Sequence, residues 1–260
     1  MSRDFTLAKY KELLEALQQA GYRMLSVRDF LLQKGPLPCT ILRHDVDRRE
    51  GRALTMALLE KDRGIQSTYY FRVGRGLGKP EVVLPIKALG HEVGYHYEAL
   101  SKAGGDREKA RKVFGDELSR LRQMAEVRTA AMHGRPFSPW NNLSLWETCC
   151  PEDFGLMGEA YLSFGRLSGA VYLSDTGRGW NSGENLRDRF SPEGPAMPGP
   201  FSSTGELIRF LRKNPFPMVY LLVHPNRWTS GRGSWLFQWG EDACVNWLKQ
   251  KLKRHASARS

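Results

Sequence analysis

The chain has 260 residues and a mass of 29.6 kDa, with 41% hydrophobic and 26% charged residues. That is globular composition for one or two domains, and it excludes bulk disorder and collagen-like repetition. The formal charge is +11, but the last twelve residues hold Lys249, Lys251, Lys253, Arg254 and Arg259 without an acid. Nearly half of the excess therefore sits on the polar face of a final helix and a frayed tail, and it does not argue for nucleic acid as a partner.

In chain order, Leu7, Tyr10, Leu13, Leu14 and Leu17 mark one face of a first helix, stopped by Gly21. A short helix from Val27 to Gln33 follows Ser26 as its cap. Gly35-Pro36-Leu37-Pro38 breaks the pattern, and the alternation of strands and helices then begins. Strands are predicted at Cys39–Arg43, Ser67–Val73, Glu92–Tyr95, Arg128–Met132, Ala170–Leu173 and Met218–Val223. Helices are predicted at Arg49–Arg63, Glu81–Leu89, Asp106–Ala125, Thr204–Lys213 and Asp242–Lys253. The stretch from Gly134 to Pro200 reads as loop-rich, and Pro192–Pro200 as a long functional loop. Such alternation predicts a mainly parallel sheet covered by helices, open or closed into a barrel.

The start of the chain has no apolar signal-peptide core and no small-residue cleavage site, and the longest apolar run of the late strands, Met218 to Val223, is far below the ~20 residues of a membrane span. The expectation is a cytoplasmic protein without a membrane span. Cys39, Cys149, Cys150 and Cys244 form no Cys-x-x-Cys pair and are expected as reduced thiols.

In parallel α/β folds, chemistry gathers beyond the carboxyl ends of the strands. The sequence puts His44-Asp45-Val46-Asp47 after the first predicted strand, His96 and Glu98 after the third, His133 after the fourth, Asp175 after Ala170–Leu173, and His224 after the last. Four of the six histidines thus fall on one rim. Asp45 and Asp47 are two residues apart and share a strand face. Two such carboxylates repel unless a cation or proton lies between them, so a metal ligand beside a general base is one reading. A helix cap at Asp47 is the other. His96 reads as an imidazole ligand, Glu98 as a ligand or substrate contact, and His133 as a ligand, substrate contact or loop-stabilising group. His224 reads as a general acid or as a strand-end histidine bonding a backbone carbonyl, and Asp175 and Arg178 as groups orienting it, Asp45 or the substrate, or as part of a surface turn. His91 opens its strand on the far rim and is expected to make structural hydrogen bonds. Trp140, Trp180 and Trp228 are either sugar-stacking or core residues. Gly74-Arg75-Gly76-Leu77-Gly78 lacks the spacing of a dinucleotide-binding turn. The aromatic and basic residues between Trp228 and Trp239 fit sugars or a core as well as nucleic acid.

Together these residues resemble the motifs of the polysaccharide deacetylase superfamily, the NodB-like carbohydrate deacetylases, in a divergent branch. The resemblance runs from about Pro38 to Trp228 and rests on Asp45-Val46-Asp47, on Gly90-His91-Glu92-Val93-Gly94-Tyr95-His96, and on Leu221-Leu222-Val223-His224. It implies a deformed (β/α) barrel over residues 38–260, with residues 1–37 as a helical extension packed on it. It also implies a divalent metal, zinc by expectation, and removal of an acyl group, chiefly N-acetyl, from a carbohydrate or glycan precursor. Asp45 would be the base, His224 the acid, and Asp47 and His96 metal ligands. The superfamily's second histidine ligand, four residues after His96, is here Leu100, so Glu98 or His133 has to replace it or the metal site is weak or lost. Arg135-Pro136-Phe137 meets the superfamily's Arg-Pro motif only in part. A cyclic amide hydrolase of the same superfamily and a non-catalytic carbohydrate-binding protein remain as alternatives.

Overall fold

The computed structural model describes residues 3–33, 37–135, 137–165, 167, 169–181, 194, 196–213 and 216–257. The predicted break at Gly35-Pro36, Pro136 of the Arg-Pro motif, and Pro192, Glu193 and Pro195 of the predicted loop lie outside these residues. The elements in chain order are α1 (Leu7–Gln19), β1 (Arg23–Leu25), α2 (Val27–Gln33), β2 (Cys39–Val46), α3 (Gly51–Lys61), β3 (Thr68–Phe71), α4 (Pro80–Ala88) and β4 (Glu92–Tyr97). There follow α5 (Ala99–Lys102), α6 (Arg107–Arg122), β5 (Thr129–Met132), β6 (Gly158–Glu159), α7 (Ala160–Phe164), β7 (Ala170–Ser174), α8 (Thr204–Lys213), β8 (Met218–Val223) and α9 (Arg232–Ser257).

The strands form one sheet in the order β6-β5-β4-β3-β2-β8-β7, and every ladder is parallel. The sheet curls into a half-barrel with helices around it, the deformed (β/α) barrel expected from the sequence. Strand β1, which the sequence did not announce, pairs with Cys39–Ile41 of β2. On its other edge β2 is taken by β8 over residues 39–44. β1 therefore lies on the same edge as β3, which begins at Arg43.

Alternation along the strands sorts the side chains into two sets. Leu42, Leu221 and Val223 pack outward on Leu13, Leu14 and Leu17 of α1 and on Leu207 and Leu211 of α8. Tyr69, Phe71, Val93, Tyr95 and Tyr97 pack outward on α3, α4 and α6 through Ala57, Val83, Phe114 and Leu118. Ile41, Tyr70, Ala131, Tyr220 and Leu222 fill the inside of the half-barrel. Gly94 is the inward residue of β4 beside Tyr70, and a Cβ there would stand 2.3 Å from the Tyr70 ring. Only glycine permits that approach, which explains its place between His91 and His96.

Two predicted strands continue further than expected. β2 runs to Val46 and β4 to Tyr97, so His44, Asp45 and His96 lie within strands rather than beyond them. Ladders to β3 and β5 hold these polar residues extended. His44 and Asp45 consequently face opposite sides of the sheet. The last helix starts ten residues before the predicted Asp242, at Arg232. Among the described residues, no helix is long and apolar enough to cross a membrane. The four cysteines are free.

Candidate metal centre and acid–base groups

Asp47, just past β2, His96 of β4 and His133, just past β5, converge at the carboxyl ends of neighbouring strands. One ligand atom from each lies within 4.8 Å of the others. His96 Nε2 is 3.2 Å and His133 Nε2 3.5 Å from Asp47 Oδ1. The imidazole rings stand edge to face, 5.2 Å apart.

The far side of each ring fixes its tautomer. His96 Nδ1 is 3.0 Å from the carbonyl oxygen of Ala131, which can only accept, so the ring proton is on Nδ1. His133 Nδ1 donates to Glu98 Oε2 at 3.1 Å. Both Nε2 lone pairs therefore point at Asp47 Oδ1, which is buried and has no hydrogen-bond partner. Such an arrangement is relieved by a cation or by a proton on His96 Nε2, whose pKa is raised. Two histidines and a carboxylate, each ring held from behind by an acceptor, are a donor set that suits a divalent ion. The residues fit the metal.

The electrostatics agree. Burial pushes the Asp47 carboxyl up, but His133, His96 and His224 hold it well below the usual carboxylate range. Burial opposes protonation of His96, yet Asp45 and Asp47 carry it above its ordinary value. At His133 burial prevails over Asp47 and Glu98, and protonation is disfavoured. The pocket wants positive charge in one place between the three groups.

Glu98, expected among the ligands or substrate contacts, lies behind His133 instead. Its carboxylate takes Arg72 Nη2 at 2.8 Å and Lys102 Nζ at 3.4 Å besides the imidazole. Burial raises its pKa, but the hydrogen bonds from His133 and Arg72 bring it far below the ordinary carboxylate value. Arg72 also donates to the Asp47 carbonyl at 3.3 Å. Leu100 lies in α5 and packs in the outer core.

Asp45 faces the same interior. Its Oδ2 is 3.7 Å from His96 Nε2 and accepts from Arg43 Nη2 at 3.0 Å. Arg43 is fully buried, donates to the Tyr220 hydroxyl at 2.7 Å and sits over the Tyr161 ring. Asp45 Oδ1 is buried without a hydrogen bond. The last β2–β8 pair is His44 with Val223, so the next residues along the two strands are Asp45 and His224.

His224 Nδ1 is 2.6 Å from Asp175 Oδ1. Arg227 Nη1 is 2.9 Å from the same nitrogen, but both of its protons are engaged, 2.8 Å from Asp175 O and 2.8 Å from Oδ1. The Nδ1 proton thus goes to Asp175 and leaves Nε2 open. Trp228 Nε1 and the His224 amide, at 2.9 and 3.0 Å, complete the donors on Asp175 Oδ2. Burial raises the Asp175 carboxyl, but Arg227 and His224 bring it below its ordinary value.

Arg178, expected to orient His224, Asp45 or the substrate, does not join them. It reaches the Arg227 carbonyl at 3.3 Å and Asp242 of α9 at 3.5 Å, between the rings of Phe5 and Trp235. Of the three tryptophans considered for sugar stacking, Trp180 and Trp228 are wholly buried and only Trp140 is exposed. In the glycine turn after β3, the Gly78 and Lys79 amides donate to Glu50 at 2.6 and 3.1 Å. A carboxylate of the chain thus occupies the place a phosphate would need. Arg43 and Arg227 escaped the sequence reading. Each carried a signal: Arg43 precedes Asp45 by two and shares its face, and Arg227 is one turn beyond His224.

No protein family model and no curated protein sequence matches the chain. Among solved structures, it is similar to a mutant of a carbohydrate esterase family 4 pseudoenzyme with restored enzymatic activity, at 13% identity and TM-score 0.39. The alignment covers 82% of this chain and 62% of that one, so the chain spans less than two thirds of that protein's length. It is also similar to a family 4 carbohydrate esterase from Bacillus anthracis, at 13% identity and TM-score 0.37, over 98% of this chain and 90% of that one. At this level of likeness any functional reading rests on the site itself.

Proposed function

We propose that the chain is a metal-dependent hydrolase that removes an acyl group, N-acetyl by preference, from a carbohydrate or glycan precursor, as a divergent relative of the polysaccharide deacetylases. The catalytic domain is assigned to residues 38–260, with residues 1–37 as an extension that adds β1 to its sheet. The observation that carries this reading is the convergence of Asp47, His96 and His133 beside two acid–base groups of opposite task, Asp45 and the His224–Asp175 pair.

Asp47, His96 and His133 would hold the ion, and a nitrogen-rich set of this kind would favour zinc. A divalent ion bound there supplies Lewis acidity that polarises an acyl carbonyl and acidifies water. Asp45 accepts the proton of the attacking water on Oδ1, while Arg43 keeps Oδ2 engaged and the carboxylate oriented. The C–N bond breaks, and His224 Nε2 gives a proton to the departing nitrogen, which is a poor leaving group without it. Asp175 stabilises the imidazolium and fixes its direction. Glu98 is a positioning residue that aims His133.

The test is acyl release from a panel of N-acetylated sugars and cyclic amides by metal-loaded protein. Release of acetate from the sugars, lowered about 10²–10⁴-fold in Asp45→Asn, is expected. Turnover of cyclic amides alone would move the substrate class, and no turnover by metal-loaded protein on any panel member would leave a carbohydrate-binding protein.

A further inference from the structure

Helix α9 is amphipathic in the reverse sense. Its side toward the body carries Gln238 and Asp242, both buried, and the half-buried Glu241 and Asn246. These bind Arg52, Arg178, Arg49 and the Gly177 carbonyl, at 3.0, 3.5, 2.7 and 2.6 Å respectively. The helix is thus clamped by polar contacts to the loops after β2 and β7 and to the start of α3, on the rim that bears the site. Its outward side carries Leu236, Phe237, Trp239, Trp247 and Leu248, all 40 to 62% exposed. Leu236, Trp239, Ala243 and Trp247 follow one another at the three- and four-residue steps of a single helical stripe. Phe237 and Leu248 flank it. The other exposed large hydrophobics among the described residues are scattered from Leu32 to Met197.

Such a stripe has to be covered by something, and the charge on the same segment indicates what. Arg232 opens the helix, Lys251 lies 4.0 Å over the Trp247 ring, and residues 249–260 contain five Lys and Arg and no acid. A second copy of the chain would bring the same cations against them. An anionic lipid surface would complement them, and tryptophan, phenylalanine and leucine are the residues that settle at the boundary between headgroups and acyl chains. We propose that α9 is an interfacial helix that docks the protein on anionic phospholipid bilayers through Leu236, Trp239 and Trp247, with its basic end beside the headgroups. This is independent of the proposed chemistry, since none of these residues belongs to the metal or acid–base groups.

The experiment is flotation of the full chain with vesicles of phosphatidylglycerol and phosphatidylcholine against vesicles of phosphatidylcholine alone, at low and high salt. Binding to the anionic vesicles only, weakened by salt, is expected. The double variant Trp239→Ser/Trp247→Ser should bind at least about tenfold more weakly, because both the apolar area and the aromatic anchors are lost. Its circular dichroism and metal content should match the unsubstituted chain, since both residues point away from the body. Absence of flotation with the anionic vesicles overturns the proposal, as does equal binding by the double variant. A dimer in sedimentation that the double variant dissociates, without vesicle binding, would assign the stripe to a second copy instead.

Discussion

Two clusters of two histidines and one acid lie on opposite sides of the same strands. Inside the half-barrel are Asp47, His96 and His133; outside it, beneath α1 and α3, are Glu60, His44 and His91. They are built from the same residue types, and one stretch of chain serves both: His44 of β2 points outward and Asp47, just past β2, points inward. What separates them is the source of protons. Glu60 Oε1 receives the Tyr10 hydroxyl at 2.5 Å and His44 Nε2 at 2.8 Å, and Oε2 receives Ser67 Oγ at 2.6 Å and the Tyr69 hydroxyl at 3.0 Å. His91 Nε2 is turned to the Ala57 carbonyl at 3.0 Å. Every lone pair of that carboxylate has a donor, so Glu60 has none left for an ion, although His44 Nδ1 is buried without a partner. The inner group has acceptors behind its rings and none of those hydroxyls in front. Metal-site character thus lies in which way the imidazole protons point, and less in the count of histidines and acids.

The comparison can be broken in four ways. The largest effect is expected from Asp45→Asn, which removes the base while keeping the Arg43 contact; acyl release should fall about 10²–10⁴-fold with metal content unchanged. Kinetics at saturating metal decide it, and undiminished turnover would remove Asp45 from the mechanism. On the outer side, Glu60→Ala strands His44 and three hydroxyls and should cost about 3–5 kcal/mol in urea unfolding, again with metal content unchanged. A loss below about 1 kcal/mol would mean that Glu60 is not the acceptor that holds the outer cluster together.

Acid should distinguish the clusters next. Burial raises the Glu60 carboxyl, but His44, His91 and Ser67 bring it from 4.5 down to about 2. A carboxylate depressed on folding contributes stability above its unfolded value and loses it as pH falls through the folded one. About 3 kcal/mol should therefore disappear between roughly pH 4.5 and 2 in the unsubstituted chain and be missing from the slope of Glu60→Gln. Parallel acid unfolding curves for the two would refute the assignment. The smallest effect is expected at Glu98→Gln, where His133 loses the carboxylate that aims it. Metal affinity should drop about 10–100-fold without loss of fold, as read by competition with a chelator. Complete loss would instead make Glu98 a ligand.

Much of this was legible in the sequence because parallel strands impose a strict order. Strand–helix alternation implies the sheet, and the strand ends carry Asp45, Asp47, His96, His133, Asp175 and His224. The strands' true ends were less legible. His44, Asp45 and His96 are polar and read as loop, yet ladders from β3 and β5 extend β2 and β4 through them. Strand β1, Arg23-Met24-Leu25, is too short to show alternation, and only its pairing with β2 makes it a strand. The start of α9 was hidden because its apolar stripe faces away from the body, so the usual link between hydrophobic periodicity and burial is inverted. Glu98 and Arg178 were assigned by position along the chain, and position does not say where a long side chain ends.

The central claim is that the inner cluster holds an ion and the outer one does not. The direct measurement is divalent metal content, by mass spectrometry, of protein purified without chelator: the unsubstituted chain beside Asp47→Ala, His133→Ala and His44→Phe. About one equivalent of metal in the unsubstituted chain and in His44→Phe, and almost none in Asp47→Ala and His133→Ala, is the expected result. Metal retained by both inner variants, or lost from His44→Phe while it remains folded, would contradict it.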